Sequence, residues 1–345
     1  MRSKTKEIRI GKLKIGGDNP IAIQSMTNTD TKDEEATIKQ IHELEENGCE
    51  IVRVSVPDKE SLLSLRAIKE NISIPLVADI HFDHKLAVEA ARIADKIRIN
   101  PGNIGKENLK EVVDAVMDSN IPMRVGINLG SLEKDIEKKF GLTALGMVES
   151  AMRSVKEIER LGFYNMVISL KASDVLKTIE AYRLFSQRSQ YPLHVGITES
   201  GSSFTGTVNS SVGIGALLLQ GIGDTIRVSL SAEPVEEVKV GWQILKALRL
   251  RKRGIDITSC PTCARKGIDV INIVKELEQR TSKMNKPLHI AVMGCGVNGP
   301  GEAKEADIGV VGGKGNVLLY KNGMMVGNIE GDVLERLMKE IENSK

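Results

Sequence analysis

The sequence predicts an α/β protein, a (β/α)8 TIM barrel followed by a small α+β domain. Three observations carry this expectation. From residue 20 to about residue 250, short β-branched runs alternate with longer segments of helical periodicity, the pattern of repeated βα units around a parallel sheet. The β-branched runs number eight. After Arg251-Lys252-Arg253-Gly254 the rhythm breaks. A doubly wound open sheet can also hold eight strands, and the count of eight favours the closed barrel.

The predicted strands are 20–25, 50–56, 75–80, 96–100, 122–128, 165–171, 192–198 and 225–230. Between the first two, Thr31-Lys32-Asp33-Glu34 reads as a capping box and Gly48 as the residue that ends the helix. Leu145, Val148, Met152, Val155 and Ile158 recur at three- and four-residue spacing, one apolar stripe that predicts core and not a cofactor face. We place the domain boundary so that 1–253 forms the barrel and 254–345 the second domain. The latter reads as helix 266–280, strand 287–293, strand 307–312, a hairpin turning at Lys321-Asn322-Gly323, and helix 332–343. Ahead of the barrel, Ile8-Arg9-Ile10-Gly11-Lys12-Leu13-Lys14-Ile15 alternates apolar and polar residues and reads as a short hairpin.

Composition narrows the function classes. The 345 residues are 41% hydrophobic and 27% charged, enough for a large core and two domains. Lys plus Arg number 48 against 46 Asp plus Glu, which argues against a global grip on nucleic acid or anionic membrane, so any basic site is local. No apolar signal region and no run long enough for a membrane span occurs, so the expected location is the cytoplasm. Four cysteines do not make a disulfide framework in a chain this long, and Cys260, Cys263 and Cys295 gather toward the C-terminus as a candidate metal or catalytic cluster. Cys49, at the head of an apolar run, reads as a buried thiol with no functional role.

In a barrel of this type chemistry gathers at the C-terminal ends of the strands. Every predicted strand carries polar residues there: Gln24 and Ser25, with Thr27 and Asn28 beyond; Arg53 and Ser55; Asp79 and His81; Arg98 and Asn100; Arg124 and Asn128; Lys171; Glu199; Arg227 and Ser229. Alternation sends Arg53 and Ser55 toward the barrel mouth and Val52, Val54 and Val56 toward the helices. Arg53, Arg98, Arg124, Arg227 and Lys171 would then converge, opposed only by Asp79 and Glu199. Internal salt bridges would explain any one of these charges, whereas the set of five points to an anion among them. A diphosphate suits guanidinium forks, which grip phosphate oxygens two at a time. Backbone N–H groups of Gly201-Ser202-Ser203-Phe204-Thr205-Gly206 and Asn100-Pro101-Gly102-Asn103 could add donors, although a loop glycine is usually just a turn.

Cys260-Pro261-Thr262-Cys263 is followed after 31 residues by Cys295, within Met293-Gly294-Cys295-Gly296-Val297-Asn298-Gly299-Pro300-Gly301-Glu302. A structural zinc site usually completes four protein ligands, and the one nearby histidine, His289, is not clearly directed at the thiols. A cubane iron–sulfur cluster normally uses four thiolates, so with three the last iron takes another ligand, for which Glu302 is the nearest candidate, or an exchangeable one. Gly294, Gly296, Gly299 and Gly301 would let backbone approach such a cluster and donate to its sulfides. A zinc knuckle or a thioredoxin-like redox pair is the competing reading.

Together, Ile23-Gln24-Ser25-Met26-Thr27-Asn28-Thr29, Val77-Ala78-Asp79-Ile80-His81-Phe82, Arg98-Ile99-Asn100-Pro101-Gly102-Asn103 and the two cysteine motifs span nearly the whole chain. In these motifs the chain resembles the bacterial 4-hydroxy-3-methylbut-2-enyl diphosphate synthases of the non-mevalonate isoprenoid pathway. The resemblance implies a [4Fe-4S] cluster held by Cys260, Cys263, Cys295 and Glu302. It also implies a homodimer in which the cluster domain of one subunit closes over the barrel of the other. The implied reaction is reductive ring opening and dehydration of 2-C-methyl-D-erythritol 2,4-cyclodiphosphate to the allylic diphosphate and water, with two electrons from ferredoxin or flavodoxin. Carried onto this sequence, Arg53, Arg98, Arg124 and Lys171 would hold the diphosphate, with Asp79, Asn100, Asn128 and Ser229 positioning it. Glu199 would donate a proton to the departing hydroxyl, and Asn298 would lie close to cluster and substrate. The chain lacks the large insertion between the two domains that plant-type relatives carry. A pterin- or corrinoid-linked methyl-transfer protein is the alternative enzyme, and a non-enzymatic iron–sulfur sensor would have no use for the polar mouth.

Overall fold

The structure is a computed structural model that describes residues 4–344. The chain divides into two compact units, Met1–Arg251 and Lys252–Lys345.

The first unit opens with a hairpin of β1 (Ile8–Ile10) and β2 (Leu13–Ile15), as the alternation predicted. The ring then runs β3 (Ala22–Met26), α1 (Glu34–Glu46), β4 (Ile51–Ser55), α2 (Lys59–Glu70), β5 (Leu76–Asp79), α3 (His84–Ala91) and β6 (Lys96–Ile99). It continues through α4 (Pro101–Ile104), α5 (Lys106–Asp118), β7 (Met123–Asn128), a 3-10 turn (Leu129–Ser131), α6 (Lys134–Phe140), α7 (Ala144–Arg160) and β8 (Met166–Lys171). It ends with α8 (Val175–Ser186), β9 (His194–Val195), α9 (Ser203–Leu219), β10 (Thr225–Ile226) and α10 (Pro234–Ala247).

The strands lie in the order β8-β7-β6-β5-β4-β3-β10-β9, with every ladder parallel. A parallel bridge between Ile168 and Leu193 joins the two end strands, with Ile168 N–H donating to the Pro192 carbonyl at 2.9 Å, so the sheet is a nearly closed barrel. β9 and β10 are shorter than the predicted 192–198 and 225–230. Beyond Val195 the chain stays hydrogen-bonded to its neighbours, through Arg227 N–H to Val195 and Thr198 N–H to Ala172, but leaves the regular ladder.

Outward side chains of the strands, among them Val52, Val54 and Val56, pack with Ile41, Leu44 and Leu65 of the helices in one continuous core. Inward side chains at the N-terminal end, Ala22, Ile51, Val77 and Val167, pack instead on Ile8, Ile10 and Ile15. The hairpin is therefore an apolar floor to the barrel.

Two local readings are corrected. The N-cap of α1 is Asp33, whose carboxylate accepts from Ala36 N–H, while the Thr31 hydroxyl donates to the Ser55 carbonyl instead of capping. On α7, Leu145 is exposed and Met152 half-buried; the buried face runs through Met147, Val148, Ala151, Ser154, Val155 and Ile158. Small Ala and Ser residues complete that face, and an aliphatic stripe does not register them.

The second unit comprises β11 (Ile255–Ser259), α11 (Val270–Thr281), β12 (Leu288–Met293), α12 (Gly299–Glu305), β13 (Ile308–Gly312), β14 (Val317–Lys321), β15 (Met324–Asn328) and α13 (Val333–Asn343). Its five strands pair in sequence order, parallel through β11-β12-β13 and antiparallel through β13-β14-β15. One core joins Val270 and Leu277 with Ile290, Val310, Leu334 and Leu337; another sets Ala303 and Ala306 of α12 against Ala291, Met293 and Val311. β11 and α12 are additions to the predicted elements. α11 starts at Val270 and not at 266, because Asp269 caps it by accepting from Asn272 N–H.

Candidate active site

Alternation along the parallel strands places a polar layer above the apolar floor. Register carries it round the ring: Arg53 lies opposite Val77 and Met26, Asp79 opposite Arg98 and Ser55, Arg98 opposite Arg124, and Asn128 opposite Lys171. Arg53, Asp79, Arg98, Arg124 and Lys171 are all buried. Asp79 is the hub: its carboxylate accepts from Arg98 Nη1 at 3.1 Å and His81 Nε2 at 3.2 Å, with Arg53 Nε at 3.7 Å. Burial alone would raise its pKa, but Arg53, His81, Arg98 and Arg124 outweigh burial and hold it well below the usual carboxylate range. Arg53 also donates to the Met26 thioether at 3.0 and 2.8 Å. Nε of Arg98, and Nε and Nη1 of Arg124, are buried with no acceptor among the described residues.

Lys171 is held from behind. Its Nζ lies 3.3 Å from His194 Nε2, and His194 Nδ1 lies 2.8 Å from Thr225 Oγ1. Burial, then Lys171, Arg124, Lys96 and Arg53, push the imidazole pKa well down, so the ring is neutral. A neutral ring can accept from the ammonium at Nε2 and donate to Thr225 from Nδ1. Tyr182 fixes the same strand, accepting from Leu170 N–H and donating to the His194 carbonyl. Two glycines make room for the cations: a Cβ on Gly126 would stand 2.9 Å from Arg98 Nε, and one on Gly196 2.9 Å from Lys171 Nζ and 2.3 Å from the Arg227 carbonyl oxygen.

The fifth predicted cation, Arg227, is turned to a carboxylate that the sequence reading did not identify. Glu237 of α10 is buried and accepts from Arg227, from Ser25 Oγ and from Leu230 N–H. Glu199, expected to oppose the cations, is instead exposed at a left-handed position, φ +50°, with no hydrogen bond or ion pair among the described residues. Glu237 is thus a further buried carboxylate of the lumen, beside Asp79. Two further lumen residues also went unpredicted, Lys96 and His194, both fully buried at the starts of their strands. Counting back two residues from Arg98 would have found Lys96.

The loops divide the remaining residues. Asn100 caps α4, accepting from Gly102 N–H and donating to Ser131 Oγ at 3.1 Å. Asn128 and Ser229 are half-buried at their strand ends. The stretch Gly201 to Gly206, read as a loop, is already helical from Ser203, where α9 begins.

In the second unit the cysteines follow the C-terminal ends of β11 and β12. Cys260 follows β11 directly, its N–H donating to the Val292 carbonyl, and Cys295 lies two residues beyond β12. Cys263 is exposed on the intervening turn, and none of the three is in a disulfide. Gly294 N–H donates to Cys260 Sγ at 3.2 Å, and a Cβ there would stand 3.3 Å from that sulfur. Thr262 sits at φ +62°, a strained place for a β-branched residue. α12, a crossover between parallel strands, begins after the same end of β12, with exposed Asn298 at its N-cap and Glu302 in its first turn. No three Cys, His, Asp or Glu side chains among the described residues are gathered closely enough to hold a metal.

In chemistry the donor set suits a thiolate-held group: three free thiols and a carboxylate follow the C-terminal ends of β11 and β12, and a backbone N–H donates to one sulfur. Of the four glycines, Gly294 is the one whose N–H donates to a cysteine sulfur. Gly299 serves packing, since a Cβ there would meet Val311 at 2.5 Å, and Gly296 and Gly301 face open space. His289, at the far end of β12, contacts Thr258 and the Glu305 carbonyl. Cys49 is a core thiol, pushed up to about 12 by burial.

Comparison with known proteins agrees with this division. Residues 5–242 match the GcpE TIM-barrel domain and residues 256–343 the GcpE protein C-terminal domain. Curated relatives named 4-hydroxy-3-methylbut-2-en-1-yl diphosphate synthase (flavodoxin) include one from Caldanaerobacter subterraneus subsp. tengcongensis. It is 58% identical over 99% of this chain and 98% of that protein. One from Clostridium perfringens is 52% identical over 99% of both. Among solved structures, a type I 3-dehydroquinate dehydratase from Clostridium difficile aligns with 71% of this chain and 98% of its own at TM-score 0.53 and 16% identity. The Yersinia pestis dihydropteroate synthase aligns with 71% and 99% at TM-score 0.51 and 11% identity, and at such identities the likeness is of fold. With both halves matched in order and relatives more than half identical along almost the whole length, this chain belongs to the GcpE family.

Proposed function

We propose that this chain is a 4-hydroxy-3-methylbut-2-enyl diphosphate synthase. It would convert 2-C-methyl-D-erythritol 2,4-cyclodiphosphate to the allylic diphosphate and water, consuming two electrons and two protons. The observation that carries the reading is the lumen, where buried Arg53, Arg98, Arg124 and Lys171 surround Asp79, while a further buried carboxylate, Glu237, is taken up by Arg227, Ser25 and Leu230. Such a surplus demands a polyanion, and the relatives' printed name supplies one of the right kind. The pterin- or corrinoid-linked alternative would leave these charges unmatched.

In this reading Arg53, Arg98, Arg124 and Lys171 bind the diphosphate. Asp79 fixes the forks of Arg53 and Arg98, His194 aims Lys171, and Asn100, Asn128 and Ser229 orient the phosphate oxygens. Glu199 donates the proton that leaves with the hydroxyl as water, and Asn298 gives the substrate an amide contact. Cys260, Cys263, Cys295 and Glu302 would hold a [4Fe-4S] cluster, which supplies low-potential electrons for carbon–oxygen cleavage. A flavodoxin is the donor we assign, in keeping with the relatives' name, with ferredoxin as a second candidate. We assign a cytoplasmic homodimer with a barrel over 1–253 and a cluster domain over 254–345; no helix among the described residues is long and apolar enough to cross a membrane.

Anaerobic purification, visible absorption and single-turnover assay with the cyclodiphosphate test this function. A brown protein with broad absorption and stoichiometric conversion is expected; a colourless protein carrying stoichiometric zinc would end it. Glu199→Gln should retain substrate affinity and lose turnover by about a hundredfold or more, the usual scale of a general acid. Near-normal turnover would remove Glu199 from the mechanism.

A further inference from the structure

We propose that Lys96 is an additional anion-binding residue at the base of the polar lumen, and that it acquires its proton together with the anion. The inference rests on the diphosphate reading of the same barrel.

Lys96 opens β6, two residues before Arg98 and on the same inward face. It is 0% exposed, and its Nζ has no hydrogen-bond partner among the described residues. The floor of the barrel is apolar, built of Ile8, Ile10 and Ile15 packed on Ala22, Ile51, Val77 and Val167. β5 sets Val77 directly opposite. The charged and titratable groups facing it are Arg53 from β4, Arg124 from β7 and the imidazole of His194 from β9. Asp79, two residues along β5, is engaged by Arg98, His81 and Arg53. Gln24 of β3 is likewise buried in this lumen, with neither amide atom partnered among the described residues.

An ammonium there would have no acceptor and two guanidinium neighbours. Burial first, then Arg124 and Arg53, drive its pKa well below the ordinary lysine value. The guanidiniums cannot relieve the crowding by losing protons, whereas an amine can. Burial first, then Arg124, Arg227, Arg53 and Arg98, push Lys171 well below the ordinary lysine value too, but His194 Nε2 stands ready to accept from it. Lys96, with no acceptor for an ammonium among the described residues, is therefore the amine with the strongest reason to stay neutral while the lumen holds no anion. A diphosphate among Arg53, Arg98 and Arg124 offsets the local positive charge, and Nζ takes one proton from a solvent or buffer acid, whose conjugate base stays in solution. His194 does not compete for that proton, since the same cations keep it neutral.

The sign of the pH effect follows. A group whose pKa rises on binding favours binding most at low pH, and the advantage fades as pH climbs from its free-state to its bound-state pKa. The test is calorimetric titration of the full chain, purified anaerobically, with inorganic pyrophosphate in buffers of different ionisation enthalpy between pH 7 and 10. Lys96→Met and Lys96→Gln are measured alongside, so that one variant suffices if the other fails to fold. Wild type should take up about one proton more per pyrophosphate than either variant, and the ratio of their affinities should fall by up to about tenfold per pH unit. Tight binding with equal proton counts in wild type and variant would overturn the role of Lys96 and leave the diphosphate site standing. Absence of pyrophosphate binding, or binding indifferent to Arg124→Met, would instead overturn the diphosphate reading itself.

Discussion

Arg124 is a guanidinium held out of water with Nε and Nη1 lacking acceptors, beside Arg53 and Arg98. Burial and those neighbours oppose its charge, and Asp79 only partly offsets them. Such a residue serves binding at the expense of folding. Arg124→Met should therefore raise the thermal midpoint of the anion-free protein by a few degrees, the shift expected for about 1 kcal/mol in a unit of this size. The same variant should weaken pyrophosphate binding by roughly tenfold or more, the scale of one charge-assisted hydrogen bond. A midpoint that falls while affinity is unchanged would mean that Arg124 is structural. Residues of this kind were legible in the sequence because period-two alternation assigns a face without knowledge of the fold. Glu237 was not, because it reaches the strand ends from a helix, where its acidic neighbour Glu236 made it look like ordinary first-turn charge. Lys96 and His194 were missed because attention to C-terminal strand ends passes over the residues at their starts.

At the scale of elements, the hairpin of β1 and β2 is short but packs on inward residues of four strands, β3, β4, β5 and β8. Ile10 is 0% exposed and packs with Ile51, Val77 and Val167. Ile10→Ala should cost about 2–5 kcal/mol, read as a lower midpoint in urea unfolding. A loss below about 0.5 kcal/mol, the scale of surface substitutions, would show that the floor does not brace the barrel. Eight strands, this hairpin and most helices could be read from the sequence because each repeats a period over several residues. β11 follows a basic run and is only half-buried, so its Ile255 and Ile257 alternation is too brief to stand out. α12 contains Gly299, Pro300 and Gly301, which read as a loop. In the fold, proline occupies a first-turn position where its missing N–H is harmless, and Gly299 lets the helix press on Val311.

Across the whole molecule, near-balance in formal charge conceals a barrel interior crowded with Arg53, Lys96, Arg98, Arg124 and Lys171. An anion that relieves this crowding must bind the folded state in preference to the unfolded one. Pyrophosphate at about a hundred times its dissociation constant should add roughly 2.7 kcal/mol of stability, seen as a higher thermal midpoint. Part of that gain should fade with added potassium chloride, since encounter at the mouth is screened more than contact within the lumen. A midpoint indifferent to pyrophosphate would mean that the cations are satisfied without it.

The hairpin floor also governs traffic. Packing of Ile8, Ile10 and Ile15 on Ala22, Ile51, Val77 and Val167 sets an apolar base beneath the cations, a poor route for a charged ligand to leave by. A charged ligand that enters past the strand ends then backs out the same way before the next molecule can follow. Product and substrate therefore queue at one door, and the product of the proposed reaction should inhibit in competition with the substrate.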